Sequence, residues 1–275
     1  MSGIAIKLGR LFAGGKNAVV IAADHGEFEG PIPGMVDISG ALQKIYSGVD
    51  GILLSPGMIR KNPQAFAYKG APLAIMRLNW STTYCEEWGY HEAQTARAIS
   101  AMDALAYGAD VALVSLTLKS GSEGTDARNV EIFCSLTREA HACGMPVIGE
   151  YFPAAYQRLS SEELGDEIRK STRILAELGA DAIKTFYTIN FKKVVEGCPI
   201  PILGLGGEKK PTVQAALKLA HDIITGGARG VVFGRNALQA AEPLKFQRAL
   251  CRIVKDGLSV EAAIDEFKLD IRQGV

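Results

Sequence analysis

The chain has 275 residues, 48% of them hydrophobic, with 30 Lys+Arg set against 30 Asp+Glu. That balance is local as well as global, with 12 basic and 13 acidic residues up to position 138, and it excludes the broad charged footprint of a nucleic-acid or anionic-membrane binder. Five cysteines, at 85, 134, 143, 198 and 251, show no CxxC spacing and read as reduced thiols, not as a disulfide frame or a zinc knuckle.

The opening MSGIAIKLGRLFAGG has no apolar stretch followed by a small-residue cleavage site, and no apolar run approaches the roughly 18 residues of a membrane span, so the chain reads as cytoplasmic. After a lead-in over residues 1–17 come eight short apolar runs, at 18–24, 51–55, 72–77, 111–116, 146–151, 181–186, 200–205 and 230–234. Continuous apolar strands separated by helices are what a parallel sheet covered on both faces requires. The helices have their own marks. Ser160 and Glu163 have the spacing of a capping box, and Val213, Ala216, Leu217, Ala220, Ile223 and Ile224 share a face that Gly226 ends. A phrase recurs where helix passes to strand: GVDGILL from Gly48, GADVALV from Gly108, GADAIKT from Gly179 and GARGVVF from Gly227. In it a glycine suits a left-handed helix end and a polar residue marks the foot of the next strand. A last amphipathic segment over 257–273 carries Val260, Ala263, Ile264 and Phe267 on one face.

Eight such units without a linker predict an α/β chain forming one (β/α)8 TIM barrel over residues 1–275, with an extra C-terminal helix. An open doubly wound sheet is the competing arrangement, but AADHGEFEG after the first strand lacks the GxGxxG turn expected there.

Barrels place their chemistry at the C-terminal strand ends. The polar residues there are Asp24 and His25, Ser55, Arg77 and Asn79, Ser115 and Thr117, Glu150 and Tyr151, Lys184 and Tyr187, and the loops GLGGEKKP from Gly204 and FGRNA from Phe233. Lys184 stands out. It alternates with Ile183 and Thr185 and so shares the inner face with Ala182 and Phe186. Desolvation there favours the neutral amine, which can attack a carbonyl, although a lysine paired with a carboxylate as a structural element is the competing reading. Asp24 and Glu150 are the carboxylates placed to move protons beside it. Gly206, Gly207, Lys209, Gly234 and Arg235 suit a phosphate cradle, and His25 could orient Asp24 or bind a substrate oxygen. His141 and His221 read as helix C-terminal residues, His91 is expected to open the helix after the third strand, at the surface or near the barrel mouth, and no HxxH or HExxH spacing points to a metal. Trp80 and Trp88, in NWSTTYCEEWGY, suit either a lid or a contact between subunits.

Four stretches together, AADHGEFEGPIPGM (22–35), GADAIKTFYT (179–188), GCPIPILGLGGEKKP (197–211) and GARGVVFGRNALQ (227–239), resemble the class I (Schiff-base) aldolases of the DeoC/archaeal-type fructose-bisphosphate aldolase family. The loops are most similar to its autoinducer-processing (Lsr-type) thiolase branch. The resemblance implies that Lys184 forms an imine with substrate, that Asp24 assists proton transfer, and that the Gly206–Gly207 and Gly234–Arg235 loops bind phosphate, with no cofactor. It departs after the fifth strand, where these aldolases carry a catalytic tyrosine before proline and this chain has Phe152 before Pro153. Tyr151 is one residue away, a step that reverses a strand side chain. Either Glu150 or Tyr151 is expected to substitute.

The expected function is a metal-independent aldolase acting on a phosphorylated ketose or dicarbonyl as a homo-oligomer. The alternatives are transfer of the cleaved fragment to coenzyme A or an aldehyde, and a sugar-phosphate-binding barrel without turnover.

Overall fold

The computed structural model describes residues 2–12 and 15–270. Its eight barrel strands are β1 (Ala18–Ala22), β2 (Gly51–Leu54), β3 (Leu73–Arg77), β4 (Val111–Leu116), β5 (Val147–Tyr151), β6 (Ala182–Phe186), β7 (Ile202–Leu205) and β8 (Gly230–Phe233). All pair in parallel, and β1 closes the ring by pairing with both β2 and β8, which excludes the open sheet. Alternation sorts the side chains as the strand period demands. Val20, Ala22, Ile75, Leu113, Ile148, Ala182 and Val232 fill the barrel, while Val19, Ile21, Val147 and Ile183 pack under the helices.

The recurring junction has a structural purpose at the barrel's foot. Asp50 Oδ2 accepts the Val19 N–H at 2.8 Å, Asp110 Oδ2 that of Ala74 at 3.0 Å, and Asp181 Oδ2 that of Val147 at 2.8 Å. Each carboxylate standing before one strand thus caps a backbone donor of the neighbouring strand. Gly108, Gly179 and Gly227 are left-handed, at φ 93°, 103° and 99°. Gly48 is not; a Cβ there would lie 2.4 Å from the Tyr46 ring, so any larger residue has to displace that ring.

The lead-in forms a helix, Ser2–Leu11, that sets Leu11 and the following Phe12 against the innermost side chains and stops the base of the barrel. Arg229 lies over the Phe12 ring at 5.6 Å. At the other end of the chain, the helix expected over 257–273 is observed as Val260–Phe267, packed on the outer helices Pro243–Asp256 and Val213–Thr225; residues 271–273 lie outside the described residues. The capping box at Ser160 and Glu163 is formed, heading Ser161–Glu177. One unit departs from expectation. Instead of a helix opened by His91, β3 is followed by an antiparallel hairpin, Asn79–Ser81 with Thr95–Arg97, and the helix of that unit is Ala101–Ala106. No helix among the described residues is long and apolar enough to cross a membrane.

Candidate active site

Asp24, Arg77, Glu150 and Lys184 continue the inward rows of β1, β3, β5 and β6, and all four line a cavity of about 300 Å³ at the C-terminal end of the barrel. Glu150 is the hub. Its Oε1 lies 2.5 Å from Lys184 Nζ, the two residues being register partners on β5 and β6, and its Oε2 lies 2.7 Å from Arg77 Nη2. Arg77, 2% exposed, also reaches Asp24 Oδ2 at 2.8 Å through both Nε and Nη2. Two cations and two carboxylates therefore cancel inside a buried cluster, the condition under which ionised groups survive there.

The electrostatics follow from that arrangement. Burial opposes ionisation of Asp24, but the charges of Arg77 and Lys184 outweigh it and hold its pKa at about 2. Glu150 is likewise lowered, with Arg77 and Lys184 again overcoming burial. Burial pulls His25 down to about 4 despite the neighbouring Asp24, leaving a neutral imidazole near neutral pH. Glu27, just outside the cavity, is pushed up to about 7 by burial.

Of the other residues anticipated from sequence, His25, Gly207, Gly234 and Arg235 line the cavity. Gly234 has to be glycine, because a Cβ would lie 2.3 Å from His25 Cε1 and 2.8 Å from the Ala22 carbonyl oxygen. Arg235 keeps a buried Nε without a hydrogen-bond partner. Three of the anticipated residues are not brought to the cavity. Tyr151 points the opposite way from Glu150, out of the barrel, and its hydroxyl donates to Glu167 at 2.8 Å. Lys209 is exposed and does not line the cavity. Gly206 lies behind the wall, its N–H spent on the Val232 carbonyl at 2.9 Å and its own carbonyl on Asn236.

One residue the sequence reading missed is in the centre. Tyr84, from the hairpin after β3, donates its hydroxyl to Glu150 Oε2 at 2.7 Å. Its ring sits between Phe28 and Phe152, with centroids at 4.5 and 4.7 Å, and the Arg77 guanidinium lies 5.0 Å from the Phe28 and Tyr84 rings. Phe186 and Tyr156 extend the same aromatic wall. Trp80 ties the hairpin down by donating to the Glu27 carbonyl at 3.2 Å, and Trp88, 65% exposed, stands at the mouth.

Residues 18–240, from the first barrel strand to just past the eighth, match the profile of the DeoC/LacD family aldolases. The chain belongs to that family. Among DeoC/LacD relatives it is 31% identical over 273 residues to an uncharacterised aldolase of Saccharolobus solfataricus, covering 98% of this chain and 100% of that one. It is 28% identical over 269 residues to a 3-hydroxy-5-phosphonooxypentane-2,4-dione thiolase of Yersinia pestis, 96% of this chain and 87% of that protein. Its fold superimposes on an archaeal fructose 1,6-bisphosphate aldolase with a TM-score of 0.79 at 28% identity, covering 91% of this chain and 98% of that one. The same scores hold for an archaeal fructose-1,6-bisphosphate aldolase, 99% covered, whose catalytic lysine carries the carbinolamine intermediate. Within this DeoC/LacD member, Phe152 turns an unfunctionalised ring into the cavity, with the Tyr84 and Tyr156 rings beside it at 4.7 and 5.6 Å between centroids.

Proposed function

We propose that this DeoC/LacD family protein is a class I aldolase that makes or breaks a carbon–carbon bond in a phosphorylated ketose or related dicarbonyl through an imine on Lys184. The observation that carries the reading is Lys184 itself: a primary amine, 7% exposed, facing a cavity with a carboxylate 2.5 Å away to receive its proton. Having yielded that proton to Glu150, the amine adds to the substrate carbonyl, and loss of water leaves an iminium. The iminium draws in the electron pair of the breaking carbon–carbon bond, giving an enamine and an aldehyde. Asp24, kept ionised by Arg77, accepts the proton of the hydroxyl that becomes this aldehyde. Arg235, with the close backbone approach that Gly207 and Gly234 allow, holds the phosphate.

The test is borohydride reduction in the presence of dihydroxyacetone phosphate or fructose 1,6-bisphosphate, followed by peptide mass analysis. The expected result is a reduced-substrate mass on the peptide containing Lys184, absent in Lys184→Met. A mass on Lys209 or Lys210, or none at all, overturns the assignment. A second reading, transfer of the cleaved fragment to coenzyme A, is supported by the similarity to the phosphorylated-dione thiolase. It requires consumption of free thiol in step with cleavage, and cleavage at an unchanged rate without thiol rejects it.

A further inference from the structure

Imine formation and its reversal need an acid as well as a nucleophile, because the substrate oxygen that begins as a carbonyl must leave as water. The buried cluster around Lys184 offers few acids. Arg77 does not surrender a proton. In the resting site Asp24 and Glu150 are held ionised and His25 is neutral, so none of these three carries a proton to give; Glu150 gains one only when Lys184 passes it on. Lys184 is the attacking group.

Two phenols also line the cavity, Tyr156 and, in direct contact with Glu150, Tyr84. Its hydroxyl and the Lys184 ammonium are bound to the two oxygens of one carboxylate, Oε2 at 2.7 Å and Oε1 at 2.5 Å, so Glu150 bridges the phenol to the amine. The ring lines the cavity and is clamped between Phe28 and Phe152. The 3-10 turn Thr82–Tyr84 that carries it is capped by Ser81 and tied to the end of β4 through Thr83 and Thr117. Burial and the Glu150 charge keep the phenol protonated, far above its ordinary range.

We propose that Tyr84 is a catalytic residue that protonates the substrate oxygen during imine formation and is recharged through Glu150 by the proton Lys184 gives up. This rests on the Lys184 assignment made above. In the addition step the Lys184 ammonium passes a proton to Glu150. The freed amine forms the carbon–nitrogen bond while the carbon–oxygen π pair takes the Tyr84 proton, and the phenolate recovers a proton from Glu150. In the dehydration step the carbinolamine nitrogen passes its extra proton to Glu150. The nitrogen lone pair then forms the iminium as the carbon–oxygen bond breaks, Tyr84 supplies the proton that makes the departing oxygen water, and Glu150 again reprotonates the phenolate. The sum is one ammonium and one carbonyl giving one protonated imine and one water, with Tyr84 and Glu150 unchanged.

The experiment measures the single-turnover rate at which borohydride-trapped adduct accumulates on Lys184 with dihydroxyacetone phosphate and with fructose 1,6-bisphosphate. Tyr84→Phe, which keeps the ring packing, should slow trapping by about a hundredfold or more, while substrate dissociation constants stay within about twofold. Because the two groups form one relay, Tyr84→Phe added to Glu150→Gln should cost little beyond Glu150→Gln alone. As a probe that leaves shape untouched, 3-fluorotyrosine at position 84 should change the trapping rate, which a purely structural hydroxyl would not. Trapping at the wild-type rate in Tyr84→Phe, or an unchanged rate with the fluorinated residue, overturns the proposal while the Lys184 assignment stands. Failure of the wild-type protein to trap either substrate overturns both.

Discussion

Arg77 is the residue on which the cluster depends, since it is bonded to both buried carboxylates and carries no other role that a hydrophobic side chain could not fill. Arg77→Met should destabilise the protein by about 3–5 kcal/mol, because Asp24 and Glu150 would be left facing each other with one cation between them. Chemical denaturation at pH 7 checks this. Lysine at the same position should rescue only part of the loss, because one ammonium cannot reproduce the contacts of Nε and Nη2. The inward parity of Lys184, Asp24 and Glu150 was legible from the two-residue period of strands, as was the doubt over Tyr151, whose outward turn follows from the same period. Tyr84 was not legible. It lies on a hairpin whose docking depends on contacts to Glu27 and Thr117, remote in sequence, and no local pattern announces which of the loop's two phenols, Tyr84 or Tyr90, will be laid in the cavity. Arg77 could be placed at a strand end, yet its partners come from two other strands.

At the scale of the element, the helix-to-strand junctions separate two uses of glycine. At Gly108 a Cβ would meet nothing within 4 Å, but φ is +93°, so Gly108→Ala should cost about 1–2 kcal/mol from backbone conformation alone. Gly48→Ala, with ordinary φ, should instead displace the Tyr46 ring. The aspartates beside them are capping groups. Asp110→Ala would orphan the Ala74 N–H and should cost about 1–3 kcal/mol, little of it from the exposed pair with Arg10 at 3.2 Å. Thermal unfolding of the three variants distinguishes these origins. The junctions were readable because the same local requirement recurs with the same residues. The hairpin after β3 was not, since it replaces the expected element with one whose pairing spans the loop NWSTTYCEEWGYHEAQTAR.

For the molecule as a whole, the buried titratable groups predict how stability changes with pH. His25 binds its proton at about 4 when folded, below its ordinary 6.5. Between those values the unfolded chain takes up a proton that the folded one refuses, so stability present above 6.5 is lost as pH falls towards 4, by roughly 3 kcal/mol. Glu27 acts in the other direction. Its folded value is raised to about 7, so its contribution is complete below the ordinary carboxylate range and is lost as pH rises through 7. Glu27→Gln should therefore raise the melting temperature at pH 8 and leave it nearly unchanged at pH 4. Denaturation curves across that interval, for the wild type and this variant, separate the two groups.

Among the described residues, the stopper formed by Leu11 and Phe12 at the base of the barrel leaves the cavity one doorway, on the side where Trp88 stands. Traffic through one doorway has to queue. In the reaction proposed above, the aldehyde fragment, which is not bound to Lys184, must depart past the hairpin before another molecule can take the vacated space, so any acceptor would meet the half still held on Lys184. For that proposed reaction the architecture implies an order: binding, scission, departure, and only then arrival of the next reactant. Initial-rate patterns for a two-substrate reaction should accordingly be parallel lines, the signature of a carrier that is loaded and unloaded in turn.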